Sequence, residues 1–224
     1  MTGTILQPEL GGAVPFRVDT VPDAPDQQVA ITINLMRRYA LESAATPELR
    51  RDLELARQLG NGDVIAGIHA LVRRGLRFRN DDETASSINS PHNATTVEVL
   101  VAPVDLSRAI EAGRQPAEDC DGFSMYCAAL LYAAGIPCGF VTVAADPLAP
   151  GQFTHVYSVA WPDQDTRVPV DASHGDYAGW ECPNRYGRRI EWPLVQPRHH
   201  PVIIAVLLVA AAWFATRKAR VRGE

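Results

Sequence analysis

Apolar side chains recur at helical spacing through the first third of the chain. From Asp26 onward, Ile31, Leu35 and Tyr39 are four residues apart, which places them on one face of a helix. Residues 1–25, in contrast, are interrupted by prolines and a glycine pair. The pattern therefore predicts an extended or loosely ordered N-terminal arm followed by a helix.

Two more helices are predicted from their capping residues. Thr46 followed by Pro47 has the form of an N-cap and a first helical residue, and Gly60 marks the end of that helix. Asp63 begins the next helix as its N-cap. The apolar face of this helix consists of Ile65, Ile68, Leu71 and Val72. The polar, turn-rich residues 80–95 that follow predict a long loop.

A different pattern begins after residue 115. After Cys120, apolar residues recur with a helical period, and Gly135 with Pro137 marks the end of this predicted helix. Cys120 is therefore predicted to lie at or just before the N-terminus of a helix. The mostly apolar residues 138–145 that come next predict a buried strand.

The following two segments predict an antiparallel hairpin. Residues 154–161 alternate, with His155 and Tyr157 on the same face, and residues 167–171 return after a turn. If the residues that flank the turn pair with each other, Asp171 lies opposite Tyr157 and close to His155. One helix followed by an antiparallel meander predicts an α+β fold.

Composition narrows the classes of function. The chain has 224 residues, of which 46% are hydrophobic, and its net charge is −5, so we expect one sizeable core. No basic stripe runs through the body of the chain, which argues against nucleic-acid binding. The four cysteines include no C-x-x-C pair, and this favours reduced thiols over a disulfide scaffold or structural zinc.

Cys120 is the candidate nucleophile. The dipole and unpaired N–H groups of a helix N-terminus favour a thiolate and can stabilise an oxyanion during acyl transfer. The acidic residues within 118–121 oppose thiolate formation. His155 is the candidate general base, and Asp171 is the carboxylate that would orient its imidazole.

Several of these segments match one known family in their order along the chain. They are the run Asp119-Cys120-Asp121 opening an Ala/Leu-rich helix that ends in Ala-Gly-Ile-Pro, then Thr154-His155-Val156, then Val170-Asp171, with Glu98 and Pro103 of VEVLVAP upstream. Over residues 26–195 the chain resembles the transglutaminase-like superfamily, most closely its bacterial and phage-associated branch. Two positions depart from that pattern: Glu118 stands where glycine is common, and Gly122 where a second acidic residue is common.

The resemblance implies a papain-like core with N-terminal helices, in which the nucleophile helix packs on a small antiparallel sheet. It also implies a catalytic triad of Cys120, His155 and Asp171 that transfers acyl groups from a protein or peptide through a thioester. The acceptor would be water in a protease or amidase and an amine in a cross-linking transglutaminase, and no metal or cofactor is required. The alternative is a catalytically silent scaffold associated with a phage or a membrane.

The other histidines and cysteines have simpler interpretations. The cysteines predicted to be unreactive are Cys127, Cys138 and Cys182. His69 is predicted to be a surface or satisfied core histidine, and His92 lies in a long loop that could border the cleft. His174 follows Asp171 by three residues, but no strand geometry supports it as the base. Residues 175–198 are rich in proline and glycine, which predicts a segment that wraps the domain.

The C-terminal residues allow two interpretations. Residues 202–215 contain no polar side chain, and as a helix they would span about 21 Å, less than the roughly 30 Å hydrocarbon core. They could form a buried helix, but the basic residues that follow favour a membrane tail. Because residues 1–25 contain no secretory signal, we expect the catalytic domain, residues 26–198, on the cytoplasmic side, attached through residues 199–224.

Overall fold

A strand hairpin comes first in the described chain, helices follow it, and a small antiparallel sheet comes last. The computed structural model describes residues 2–7, 12–17, 25–80 and 100–195. The helices are α1 (Pro25–Ala44), α2 (Pro47–Leu59), α3 (Val64–Gly75), α4 (Pro103–Glu111) and α5 (Cys120–Ala133). The strands are β1 (Thr2–Gln7), β2 (Gly12–Arg17), β3 (Arg77–Phe78), β4 (Ala117–Glu118), β5 (Cys138–Val143), β6 (His155–Ala160), β7 (Val168–Val170) and β8 (Arg189–Pro193). The predicted α+β class is confirmed.

The capping residues define α2 and α3 as predicted. The Thr46 side chain accepts a backbone N–H bond at the start of α2, and Gly60 follows the last residue of that helix. Asp63 accepts bonds from two N–H groups at the start of α3. Gly67 allows the two helices to approach closely, because a Cβ atom there would lie 1.9 Å from the carbonyl oxygen of Ala56.

The buried face of α1 differs from the predicted stripe. Ile31, Leu35 and Tyr39 are only partly buried. The side chains of α1 that lie in the core are those of Ile33, Met36, Ala40 and Ala44. Both sets have helical spacing, so the periodicity predicts the helix but does not determine which of two adjacent stripes faces the core.

The main sheet has four strands in the order β7-β6-β5-β8, and every neighbouring pair is antiparallel. In the pairing of β6 with β7, Ser158 lies opposite Val170. Continued by one residue, this register places Asp171 opposite Tyr157, as the sequence predicts. Every residue of β5 is buried, which confirms the predicted buried strand.

α4 and β8 are among the elements that the sequence did not predict. α4 begins at Pro103, and its N-cap residue, Ala102, makes no side-chain capping bond. β8 lies within residues 175–198, which were predicted only to wrap the domain, and it pairs with β5 from Arg189 to Pro193. This segment therefore supplies an edge strand of the sheet as well as a connection.

α5 is the central helix of the fold. It is buried without interruption from Asp121 to Leu131, because the sheet covers one side and α1, α2 and α3 cover the others. The hydroxyl of Tyr126 donates to the buried carboxylate of Asp52 at 2.5 Å, which ties α5 to α2. Cys127 is fully buried on this helix, as predicted.

A short parallel pair connects the helical part to the start of α5. β3 pairs with β4, so the end of α3 lies beside the residues that lead into Cys120. In the N-terminal arm, β1 and β2 pair as an antiparallel hairpin. The predicted loop from residue 81 onward, His92, Glu98 and residues 199–224 lie outside the described residues.

Candidate active site

Cys120 is the first residue of the central helix. The N-cap residue Asp119 accepts a hydrogen bond from the N–H of Asp121 at 2.9 Å, so a side-chain cap fixes the start of α5. The Cys120 thiol is partly exposed and donates a weak hydrogen bond to the Asp121 carboxylate at 3.7 Å. The predicted position of this thiol at a helix N-terminus is confirmed.

His155 and Asp171 lie on neighbouring strands and form a buried pair. His155 begins β6, and Asp171 follows the last residue of β7. The imidazole Nε2 and the carboxylate Oδ2 are 2.7 Å apart, and both side chains are almost completely buried. The hairpin register thus produces the hydrogen bond that the sequence predicts.

Several donors fix the Asp171 carboxylate. Its second oxygen, Oδ1, accepts hydrogen bonds from the Ser173 hydroxyl at 2.8 Å and from the backbone N–H of His174 at 3.1 Å. Burial by itself disfavours the charged carboxylate, but the bonds from His155, Ser173 and His174 outweigh it and hold the pKa of Asp171 below its ordinary value. Asp171 is therefore ionised at neutral pH.

Ser124 connects the nucleophile helix to the strand that carries His155. Its hydroxyl contacts the carbonyl oxygen of Cys120, one turn back on α5, at 2.7 Å. The same hydroxyl contacts the carbonyl oxygen of Val156 at 3.1 Å, and Val156 directly follows His155. The first turn of α5 and the first residues of β6 are thereby brought together.

His69 supports Asp171 from the helical side. It is buried in α3, and its Nε2 lies 3.2 Å from the carbonyl oxygens of both Asp171 and Gly175. Two acceptors require a proton on Nε2. Burial and the nearby charge of Arg73 favour the neutral ring, and the pKa of His69 is below its ordinary value. The interpretation of His69 as a satisfied core histidine is confirmed.

His174 lies closer to the site than its place in the sequence indicates. Its ring is 4.6 Å from the His155 ring, measured between centroids and at a steep angle. The turn after β7 folds back through a bond from the Gly175 N–H to the carbonyl oxygen of Asp171. An Asp followed within four residues by Ser and Gly is a turn signal, and this signal could have indicated the position of His174.

The other three thiols are unsuited to nucleophilic attack. Burial raises the pKa of Cys127 far above its ordinary value, and it raises the pKa of Cys138 to about 12. Burial, followed by the charge of Asp171, raises the pKa of Cys182 to about 11. All three thiols are therefore protonated at neutral pH. Because only a thiolate is an effective nucleophile, none of the three is suited to attack a carbonyl carbon.

Glu118 and Gly122, on either side of Cys120 and Asp121, lie against each other. A Cβ atom added at Gly122 would lie 2.3 Å from a carboxylate oxygen of Glu118 and 2.7 Å from its Cβ atom. The side chain of Glu118 therefore occupies the space that a larger residue at position 122 would need.

Gly122→Ala is expected to lower the free energy of unfolding by about 1–3 kcal/mol, the usual cost of overpacking. Because the clash is with Glu118, the same substitution should cost much less in a Glu118→Gly background than in the wild type. Urea denaturation of the single and double variants measures both changes. If Gly122→Ala lowers the free energy of unfolding by the same amount with and without the Glu118 side chain, the two residues do not compete for space.

In the part of the chain that the structure describes, two groups of side chains bring metal-binding atom types within 4.8 Å of one another. His155, Asp171 and His174 form one group, and residues 119–121 form the other. In the first group, the His155 nitrogen and the Asp171 oxygen already bond to each other. In the second, Asp119 serves as a helix cap and Asp121 accepts from the thiol.

No protein-family model matches the chain, and no curated protein matches it either. Among the residues that the structure describes, no helix combines the length and the apolar character needed to cross a membrane.

Proposed function

We propose that the chain is a transglutaminase-like enzyme with a papain-like core, and that it transfers acyl groups through a thioester on Cys120. The observation that carries this proposal is the buried His155–Asp171 pair at 2.7 Å. The strand that carries His155 is connected through the Ser124 hydroxyl to the first turn of the helix that begins with Cys120. A thiol at a helix start, a base beside it and a carboxylate that orients the base are what nucleophilic catalysis requires.

The hydrogen bonds assign the proton positions. Since the ionised Asp171 can only accept, His155 Nε2 is the donor of their bond, and the unprotonated Nδ1 is left as the basic nitrogen. Nδ1 removes the thiol proton of Cys120, and the sulfur forms a bond to the carbonyl carbon of the substrate. The positive imidazolium that results is stabilised by Asp171.

The remaining steps return the enzyme to its starting state. The N–H groups at the start of α5 stabilise the negative oxygen of the tetrahedral intermediate. The carbon–nitrogen bond breaks, and the leaving amine takes the proton from His155 Nδ1, which leaves a thioester on Cys120. An acceptor then loses a proton to Nδ1 and attacks the thioester, and the released sulfur of Cys120 regains that proton.

We propose water as the acceptor, which makes the enzyme a protease or amidase, and a primary amine as the second possibility, which makes it a cross-linking transglutaminase. A test incubates a library of glutamine-containing peptides with the protein, with and without a primary amine. Hydrolysis gives a carboxylic acid product, and transfer gives a secondary amide, so mass spectrometry separates the two. If neither product forms and Cys120 is never acylated, the chain is a catalytically silent scaffold.

We also propose that residues 202–215 attach the enzyme to a membrane, with the catalytic domain on the cytoplasmic side. The full chain should then sediment with membranes, while a chain ending at Arg198 should stay in the supernatant with unchanged activity. Fractionation with an activity assay on each fraction measures this. If the shortened chain aggregates or unfolds, residues 202–215 belong to the core and the membrane proposal is wrong.

A further inference from the structure

A second histidine is linked to Asp171 by hydrogen bonds. The Ser173 hydroxyl donates to Asp171 Oδ1 at 2.8 Å, and the same oxygen of Ser173 lies 2.9 Å from Nδ1 of His174. The carboxylate is thus bonded on one side to His155 and on the other, through Ser173, to His174. Among the described residues, these contacts form a continuous chain of polar atoms from one imidazole to the other.

The number of protons fixes the direction of this chain. A serine hydroxyl has one proton, and Ser173 uses it for Asp171. In the hydrogen bond between the two side chains, the Nδ1–H of His174 must then be the donor and the Ser173 oxygen the acceptor. His174 is therefore the Nδ1–H tautomer. Its two N–H groups support the same carboxylate oxygen, the ring N–H through Ser173 and the backbone N–H directly.

The surroundings of His174 keep its ring in place and neutral. One side contacts the ring of His155 at 4.6 Å, and another contacts the partly exposed ring of Phe78 at 5.1 Å, both edge-on. The titratable and charged groups that face it are His155 and Asp171 from the sheet, and Arg73 from α3, which is paired with Asp176. The residue as a whole is exposed, but partial burial of its ring, and next the electrostatic effect of His155, lower the pKa of His174 below its ordinary value.

We propose that His174 is a positioning residue of this site, which acts through Ser173 to orient the Asp171 carboxylate towards His155. This inference deepens the proposed function and rests on it, since His155 must act as the base. Without the donors on Oδ1, the carboxylate can rotate and its bond to His155 is held less firmly. Protonation of His174 in acid adds a proton at Nε2 and keeps the Nδ1–H donor, but it places a positive charge beside the imidazolium that His155 forms. His155 therefore becomes a weaker base as the pH falls through the pKa of His174.

Three variants of the full chain separate the parts of this proposal. Ser173→Ala breaks the hydrogen-bond chain but keeps the second histidine. His174→Leu removes both the donor and the titration. His174→Asn places an amide N–H near the position of Nδ1, so it keeps the donor but cannot be protonated in the same range.

The first measurement is independent of catalysis. In the full chain labelled with ¹⁵N-histidine and kept in EDTA, the ring nitrogen shifts should show His174 as the Nδ1–H tautomer at neutral pH. In Ser173→Ala this preference should be lost, while His155 stays protonated on Nε2. The proposal is overturned if His174 carries its proton on Nε2 in the wild type. It is also overturned if Ser173→Ala leaves the tautomer of His174 unchanged.

The second measurement is the rate of Cys120 alkylation by iodoacetamide as a function of pH. Ser173→Ala and His174→Leu should react about five- to tenfold more slowly at neutral pH, the effect of losing one hydrogen bond of about 1 kcal/mol. His174→Asn should react at nearly the wild-type rate, and its rate should fall less steeply in acid. Rates equal to wild type in all three variants contradict the positioning role. If Cys120 is unreactive in every protein while His174 is the Nδ1–H tautomer, the hydrogen-bond chain stands and the proposed function fails.

Discussion

Replacing Cys120 with alanine is expected to abolish amide turnover while leaving the fold intact. Without the sulfur no thioester can form, so kcat should fall by at least about 10⁴-fold, as in other enzymes that lose their nucleophile. Cys120 is partly exposed, and the cap from Asp119 remains. The free energy of unfolding should therefore change by less than about 1 kcal/mol. Steady-state kinetics and urea denaturation measure the two effects.

Cys127→Ala is the matched control for this prediction. Cys127 lies on the same helix but is fully buried, so its truncation should lower stability by about 1–3 kcal/mol and leave kcat near the wild-type value. The Cys120 variant should therefore lose activity and keep its stability, and the Cys127 variant should lose stability and keep its activity. If Cys120→Ala unfolds the protein while activity per folded molecule is retained, Cys120 is a structural thiol.

Asp171→Asn should have the second largest effect on activity. The asparagine amide can donate a hydrogen bond to His155 Nε2, which then holds no proton, and the proton moves to Nδ1, the nitrogen that must act as the base. A wrong tautomer of this kind costs about 10⁴-fold in the Ser-His-Asp enzymes, and we expect a loss of about 10²–10⁴-fold in kcat/KM here. The measurement is kcat/KM at neutral pH, with Cys120 alkylation as a check that does not need the substrate.

Asp176→Asn controls for the removal of a nearby negative charge. Asp176 is largely exposed and pairs with Arg73 at 2.8 Å, and exposed ion pairs of this kind contribute little. This variant should keep wild-type activity, and its stability should change by less than about 0.5 kcal/mol. If Asp171→Asn and Asp176→Asn reduce activity equally, the effect is one of net charge and Asp171 does not orient His155.

Local rules predicted the parts of the fold that depend on local chemistry. The N-caps Thr46 and Asp63 define helix starts because a side-chain oxygen can reach the nearby N–H groups from its own position. The bond between His155 and Asp171 was predictable because a short turn fixes the register of the two strands that carry them. These features need no knowledge of the rest of the chain.

Other features depend on contacts between distant segments. β8 is an edge strand whose residues are partly exposed, and it forms because β5 offers an unpaired edge, which local periodicity does not reveal. α4 has no side-chain cap to mark its start. The proximity of His174 to His155 depends on how the turn after Asp171 folds and on Phe78, which arrives from a separate strand pair. Sequence spacing alone does not give the direction of that ring.

The central claim is that Cys120 is the acyl-accepting nucleophile, and mapping the acylated residue tests it most directly. The full chain is treated at neutral pH with an activated acyl probe that forms thioesters, then digested, and the modified peptides are identified by mass spectrometry. We predict an acyl group on Cys120 alone, removable by hydroxylamine, and strongly reduced in His155→Gln. Equal acylation of Cys120 and Cys182 in the folded protein, or acylation of Cys120 that does not depend on His155, would contradict the account.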